Sequence, residues 1–148
     1  MNPIRSLGVS VFLGLCAAMP STPARGQGAA ADKALLGEWE GHIVDGDGSN
    51  PGQRRMNIFV TITDKKISAT GGQGQTMGEG TYRISGRHID ATGTAGQQYQ
   101  GRTYLGLFSV EGDTLKWCSC NERSKVRPTA LRTSTKDGHF LMVLTRKK

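Results

Sequence analysis

The segment Met56-Asn57-Ile58-Phe59-Val60-Thr61-Ile62-Thr63 sets Met, Ile, Val and Ile against Asn, Phe, Thr and Thr in alternation. Successive side chains of an extended strand point to opposite faces, so this period of two describes a ribbon with one face in a core. The same pattern recurs. Trp39, Gly41 and Ile43 oppose Glu38, Glu40 and His42; Tyr82 and Ile84 oppose Thr81 and Arg83; Leu115 and Trp117 oppose Thr114 and Lys116. Between these runs lie Ser85-Gly86, Glu111-Gly112-Asp113 and Asp137-Gly138, each placing a glycine where a tight reversal needs positive φ. No segment beyond Leu36 carries a long amphipathic helical pattern, although the Ala-rich stretch 29–34 suits one helical turn. Short strands joined by such turns predict an all-β sandwich or barrel.

Closure is predicted by the last strand. Phe140, Leu141, Met142, Val143 and Leu144 are apolar on both faces, which a sheet with one wet side does not need. One face would meet the core and the other a helix, loop or neighbour. Pairing this strand with the first would also remove the sheet edges. The expectation is an antiparallel, lipocalin-like β-barrel of about eight to nine short strands. Residues 45–53 (DGDGSNPGQ) and 71–78 (GGQGQTMG) read as mobile loops, which together hold several of the chain's 21 glycines.

The N-terminal segment reads as a cleaved signal peptide. Arg5 precedes an apolar run over 7–19, followed by Pro20, Ser21, Thr22, Pro23, Ala24, Arg25 and Gly26. Such a run is short for a membrane span of roughly 20 residues and suits a signal-peptide core. Ala24 and Gly26 fit a cleavage site after Gly26; cleavage after Ala24 or within 29–31 also fits. A buried helix, an uncleaved anchor or lipidation at Cys16 compete, but Gly8, Gly14 and Pro20 break up a packed helix and Leu15 is large for the residue before a lipidated cysteine. The division is then 1–28, signal peptide and disordered leader, and 29–148, one barrel domain. The expected location is exported, periplasmic or extracellular, with no stable membrane span once the leader is gone. The net charge of +7 loses only Arg5 and Arg25 with the leader, and the remaining basic residues are scattered. Nucleic acid would require them on one face with interleaved aromatics, so it is not an expected partner.

Beyond residue 34 the chain resembles a family. The run 106–118 (GLFSVEGDTLKWC), then Arg127-Pro128-Thr129, then Leu144-Thr145-Arg146 is similar to a planctomycete-type family of uncharacterised small secreted domains regarded as lipocalin-like. Leu35 or Leu36, Gly37 and Trp39 supply the opening of that pattern, and Gly80 and Tyr82 its middle. Phe108 stands for the family's tyrosine, Trp117 precedes the cysteine, and Ala130-Leu131 replaces an acidic-aromatic pair. The resemblance implies a fold and a compartment, without an activity. Gly37-Glu38-Trp39 also looks like the Gly-x-Trp that opens lipocalins, where a late arginine packs across the indole; Arg146 is the corresponding residue.

Little of the sequence points to catalysis. Cys118-Ser119-Cys120 places both sulfurs on one strand face. A disulfide with a bulge, two separate thiols with Cys118 as a small hydrophobe, and a soft-metal or redox pair are the competing readings. His42, His88 and His139 are isolated and read as solvent-facing. Glu38 and Glu40 share a strand face as its ordinary polar side. No nucleophile elbow is present, Asp45-Gly46-Asp47-Gly48-Ser49-Asn50 lacks the closing glutamate of a calcium loop, and Gly71-Gly72-Gln73-Gly74 opens no helix. Asp113 shapes a hairpin and Arg127-Pro128 stiffens the start of a strand. The expected function is a non-enzymatic binding domain without cofactor or metal. Its partner is a small apolar ligand, or an envelope component. Trp39, Ile58, Val60, Tyr82, Phe108, Leu115 and Trp117 line or support the interior, and Gly37, Asp113, Arg127, Pro128 and Arg146 are structural. The alternative is an envelope interaction module in which those residues fill a solid core.

Overall fold

The computed structural model describes residues 33–44, 56–96 and 99–148. The signal peptide, its cleavage site, Cys16 and the oxygen-rich 45–53 loop lie outside the described residues. Alternating segments form β1 (Gly37–Val44), β2 (Met56–Ile62), β3 (Ile67–Gly71), β4 (Thr76–Ser85), β5 (His88–Ala95), β6 (Thr103–Glu111), β7 (Thr114–Cys120) and β8 (His139–Arg146). Each pairs antiparallel with the next, and β8 returns to pair with β1 from Trp39↔Arg146 to Val44↔Leu141. The sheet therefore closes as an eight-stranded barrel, as the doubly apolar last strand predicts. Residues 33–35 form one helical turn before β1.

The two ends of the barrel differ. At one end the connections are short. Gly86 and Gly112, with φ of 60° and 59°, take the first of two turn positions between β4 and β5 and between β6 and β7. Only glycine reaches that left-handed region without steric strain, and a positive φ at this position suits the twist of a hairpin. Below these turns Trp39, Ile62, Ile89, Leu115 and Leu144 are fully buried, with Phe108 beside them. Leu35 plugs the same end and is itself fully buried, a contribution of about 2 kcal/mol for a side chain of this size. Its carbonyl accepts the indole N–H of Trp39 at 2.8 Å.

Arg146 clamps this plug. Its guanidinium lies 4.2 Å from the Trp39 ring centroid and donates to the carbonyls of Leu36 at 2.6 Å and Ala34 at 2.7 Å. The expected packing of Arg146 across the Trp39 indole is thus present. Asp113 completes it: its carbonyl accepts the Arg146 amide at 2.8 Å, and its carboxylate stands 3.7 Å from Nε.

At the opposite end β3 and β4 are joined over 72–75, so half of the segment expected as a loop over 71–78 is strand. The strands could extend because Thr76 to Gly78 continue the ladder with β3, across a register shift at Ala69/Thr70. The longest described connection, 121–138 between β7 and β8, crosses the outside of the barrel as a strap. Arg127 grips Asp90 of β5 with two bonds of 2.6 and 3.0 Å and reaches the Gly106 carbonyl of β6 at 3.1 Å. Pro128 is fully buried within the strap rather than opening a strand, a correction to the sequence expectation. The strap supplies a second cover on the outside of the barrel, where Leu107, Cys118 and Cys120 are buried and Cys118 donates to the strap's Arg132 carbonyl. It also corrects the solvent-facing reading of His139, which is 8% exposed with Nε2 2.9 Å from the Val126 carbonyl.

Candidate functional site

The interior is solid at the plugged end and hollow at the other. A cavity of about 170 Å³ opens among Ile43, Ile58, Val60, Ala69, Met77, Ala91, Phe140 and Met142, with Trp117 and Tyr104 also in its wall. Small inward residues make the space. Gly78, Gly80 and Gly93 lie in the same wall, where an added side chain would meet neighbouring structure and not open space. A Cβ on Gly80 would lie 2.4 Å from the Thr92 carbonyl oxygen, and one on Gly93 would lie 2.0 Å from that of Tyr99. Register shifts at Ala69/Thr70 and Glu79/Gly80 fall in the same wall, and such irregularities bend strands and re-aim side chains. Tyr99, from the β5–β6 connection, packs over Gly78 and Gly93 and holds its ring 6.2 Å from Tyr104.

Two polar atoms in this wall have no partner. Trp117 Nε1 and Tyr104 Oη are both buried without a hydrogen bond, although buried donors are nearly always satisfied. Trp117 is 5% exposed. Its Nε1 lies 2.6 Å from where a Cβ on Gly106 would stand, so the missing side chain of β6 is the notch that admits the indole edge. Burial pushes the Tyr104 hydroxyl above its ordinary 10.0, with Arg102 opposing that rise. Arg102 is itself ion-paired with Glu122.

Of the interior residues expected from the sequence, Ile58, Val60 and Trp117 line the cavity. Trp39, Phe108 and Leu115 sit in the solid half, and Tyr82 packs against that core while its hydroxyl donates to the Thr63 carbonyl at 2.7 Å. Alternation identifies which face a residue takes but not its depth along the barrel axis. Tyr104 was not among the expected site residues. Its signal, an aromatic in step with Gly106 and Phe108 along β6, is legible once that strand's inward face is known.

Cys118 and Cys120 are separate, buried thiols on the outer face of β7, so no disulfide joins them. In an extended strand, residues two apart stand near the upper limit of disulfide reach. Each sulfur is also engaged locally. Cys118 Sγ donates to the Arg132 carbonyl at 3.2 Å, and Cys120 Sγ accepts the Leu105 amide at 3.2 Å. Burial raises the Cys118 thiol above its ordinary 9.0. Among the described residues no three His, Cys, Asp or Glu side chains gather as a metal site, and no helix is long and apolar enough to cross a membrane. A wider hollow of about 600 Å³ follows the strap, bordered largely by Thr129, Thr133, Ser134, Thr135 and Lys136. It contains neither unpartnered donor.

No family model matches the chain, and no curated protein matches it. Among solved structures the chain is similar to the crystal structure of Rv2717c from M. tuberculosis, at 18% identity and a TM-score of 0.41, over 80% of this chain and 96% of that one.

Proposed function

We propose that this barrel is a non-catalytic binding domain that holds a small, mainly apolar molecule at its open end, and that it works as an exported, lipocalin-like protein after loss of its leader. The observation that carries this reading is the mouth cavity: an apolar hollow of about 170 Å³ beside a core that is otherwise tightly filled. Protein interiors pack to crystal-like density, so a void of this size forfeits contacts that larger side chains would make. An apolar cavity of about 150 Å³ is enough to take up benzene. A single ring, or one end of a longer molecule projecting through the mouth, matches that scale.

The competing reading, a solid envelope module, expects an interior filled along its whole length, and the hollow weighs against it. The apolar run over 7–19, with Arg5 ahead of it and small residues behind it, supports export. The test is native mass spectrometry of the protein purified from the exported fraction of its own host. A stoichiometric small molecule, displaced by a bulky substitution such as Ala91→Phe, supports the reading. A clean apo mass, with no change in unfolding temperature across a library of single-ring compounds, refutes it.

A further inference from the structure

We infer that the mouth cavity takes the apolar end of an amphiphile and limits it to about six carbons, with Ile89 as the floor residue that sets this length. This rests on the binding reading above and specifies its ligand.

The depth of the hollow can be followed strand by strand. On β2, β5, β7 and β8 two successive inward residues line it. The next one toward the plugged end, Ile62, Ile89, Leu115 or Leu144, does not, and each of these is fully buried in the core. Inward positions recur about every 7 Å along a strand, so the hollow is closed within about two such steps. Below that the interior is packed, and a chain entering from the mouth stops there. A cavity that takes up benzene holds about six carbons, and a longer molecule keeps its remainder at the mouth.

Ile89 lies beneath a thinly lined part of the wall. The lining residue above it on β5 is Ala91, a single methyl group. Its partner across the ladder on β6 is Gly106, where an added Cβ would lie 3.0 Å from Ile89 Cγ2 and 2.6 Å from Trp117 Nε1. Ile89 and the edge of the Trp117 indole therefore occupy the place of that missing side chain, and Ile89 closes the floor under two strands.

The polar members of the wall leave no place for a headgroup inside. Glu79 is exposed, the Thr92 hydroxyl is bonded to Thr103 at 2.9 Å, and the Ser119 hydroxyl to the Cys120 carbonyl at 3.4 Å. The polar atoms of Trp117 and Tyr104 are inaccessible. A polar end pushed inward would lose its hydration, whereas one left at the mouth keeps it.

The experiment is calorimetric titration of the intact protein with the straight-chain primary alcohols from butanol to nonanol. Affinity is expected to rise about fourfold per methylene up to hexanol and to level off beyond it. Ile89→Ala moves this break to chains about two to three carbons longer, because a truncated core residue leaves much of its volume empty. Ile89→Val, which serves if the alanine variant does not fold, moves it by about one carbon. Ala91→Leu, which narrows the hollow above the floor, brings the break to shorter chains. Affinity that keeps climbing at the same rate through nonanol overturns the length limit and leaves the binding reading standing. A break that stays at one length in every folded variant overturns the role of Ile89. No uptake of any alcohol, while single-ring compounds still raise the unfolding temperature, overturns this inference alone. No uptake of either kind of probe removes the binding reading with it.

Discussion

Replacing Arg146 by alanine should destabilise the barrel by about 3 kcal/mol. The guanidinium lies over the Trp39 ring at 4.2 Å, a partly desolvated cation–π contact of about 1 kcal/mol. Its two bonds to the carbonyls of Leu36 and Ala34, at 2.6 and 2.7 Å, are charge-assisted and contribute about 1 kcal/mol each. The Asp113 carboxylate is 3.7 Å away on a side chain 59% exposed, so that pair adds at most a few tenths of a kcal/mol. The β8 amide keeps its bond to the Asp113 carbonyl in the variant, so the loss belongs to the side chain. Urea unfolding followed by far-ultraviolet circular dichroism measures it without relying on the fluorescence of Trp39. Lysine at this position should recover about 1 kcal/mol, because an ammonium can sit over the ring but lacks the fork that spans two carbonyls. A loss below about 1 kcal/mol for alanine, or full recovery by lysine, would show that the clamp is not what holds the plug.

Gly106→Ala should cost about 2 kcal/mol and displace the indole, since its Cβ would meet Trp117 Nε1 at 2.6 Å and the Ile89 carbonyl at 2.8 Å; an unaltered near-ultraviolet spectrum with unchanged stability would contradict this. Tyr104→Phe should leave the unliganded protein unchanged or stabilise it by up to about 1 kcal/mol, because it removes a hydroxyl without a partner; a clear loss in thermal unfolding would reveal a bond to that hydroxyl. Asp90→Asn should weaken the strap by about 1 kcal/mol and speed hydrogen exchange across 121–138, as the pair it breaks is partly exposed. For pH, the folded Cys118 thiol keeps its proton where the unfolded thiol has lost it. Its contribution is therefore fully present below its ordinary 9.0 and declines as pH rises through the higher folded value. Wild type should lose stability relative to Cys118→Ala over that window, and a constant difference between the two would contradict the assignment.

The legibility of this chain followed side-chain size. β1, β2 and β8 announce themselves because their inward positions carry Trp39, Ile58, Val60, Met142 and Leu144, and large apolar residues make alternation visible. β3, with the sequence ISATG, and β5, with HIDATGTA, were not singled out. Their inward positions run down to Ala69, Ala91 and Gly93, which line the hollow. The cavity is the part of the barrel from which hydrophobic bulk has been withdrawn, so the signal that finds strands is weakest beside the site. The strap left a different trace. It has no periodicity of its own, and only the second apolar face of β8 implied a cover. The ion pair between Asp90 and Arg127, 37 residues apart, had no local signature, because its register depends on where the strap crosses β5.

Closure also determines how this barrel would yield to a pull. Seven of its eight seams join neighbours in sequence, and the remaining one joins β1 to β8. Gly37 at the start of β1 and Arg146 at the end of β8 lie at the same, plugged end, where Trp39 pairs with Arg146. Traction applied to residues 37 and 146 would therefore load the β1–β8 ladder one rung at a time, peeling it rather than shearing all its bonds together. The first resistance met would be the indole–guanidinium clamp. Once that parts, the remaining sheet is a string of local hairpins with no long-range pairing to restore the tube, so mechanical strength is concentrated in a single latch.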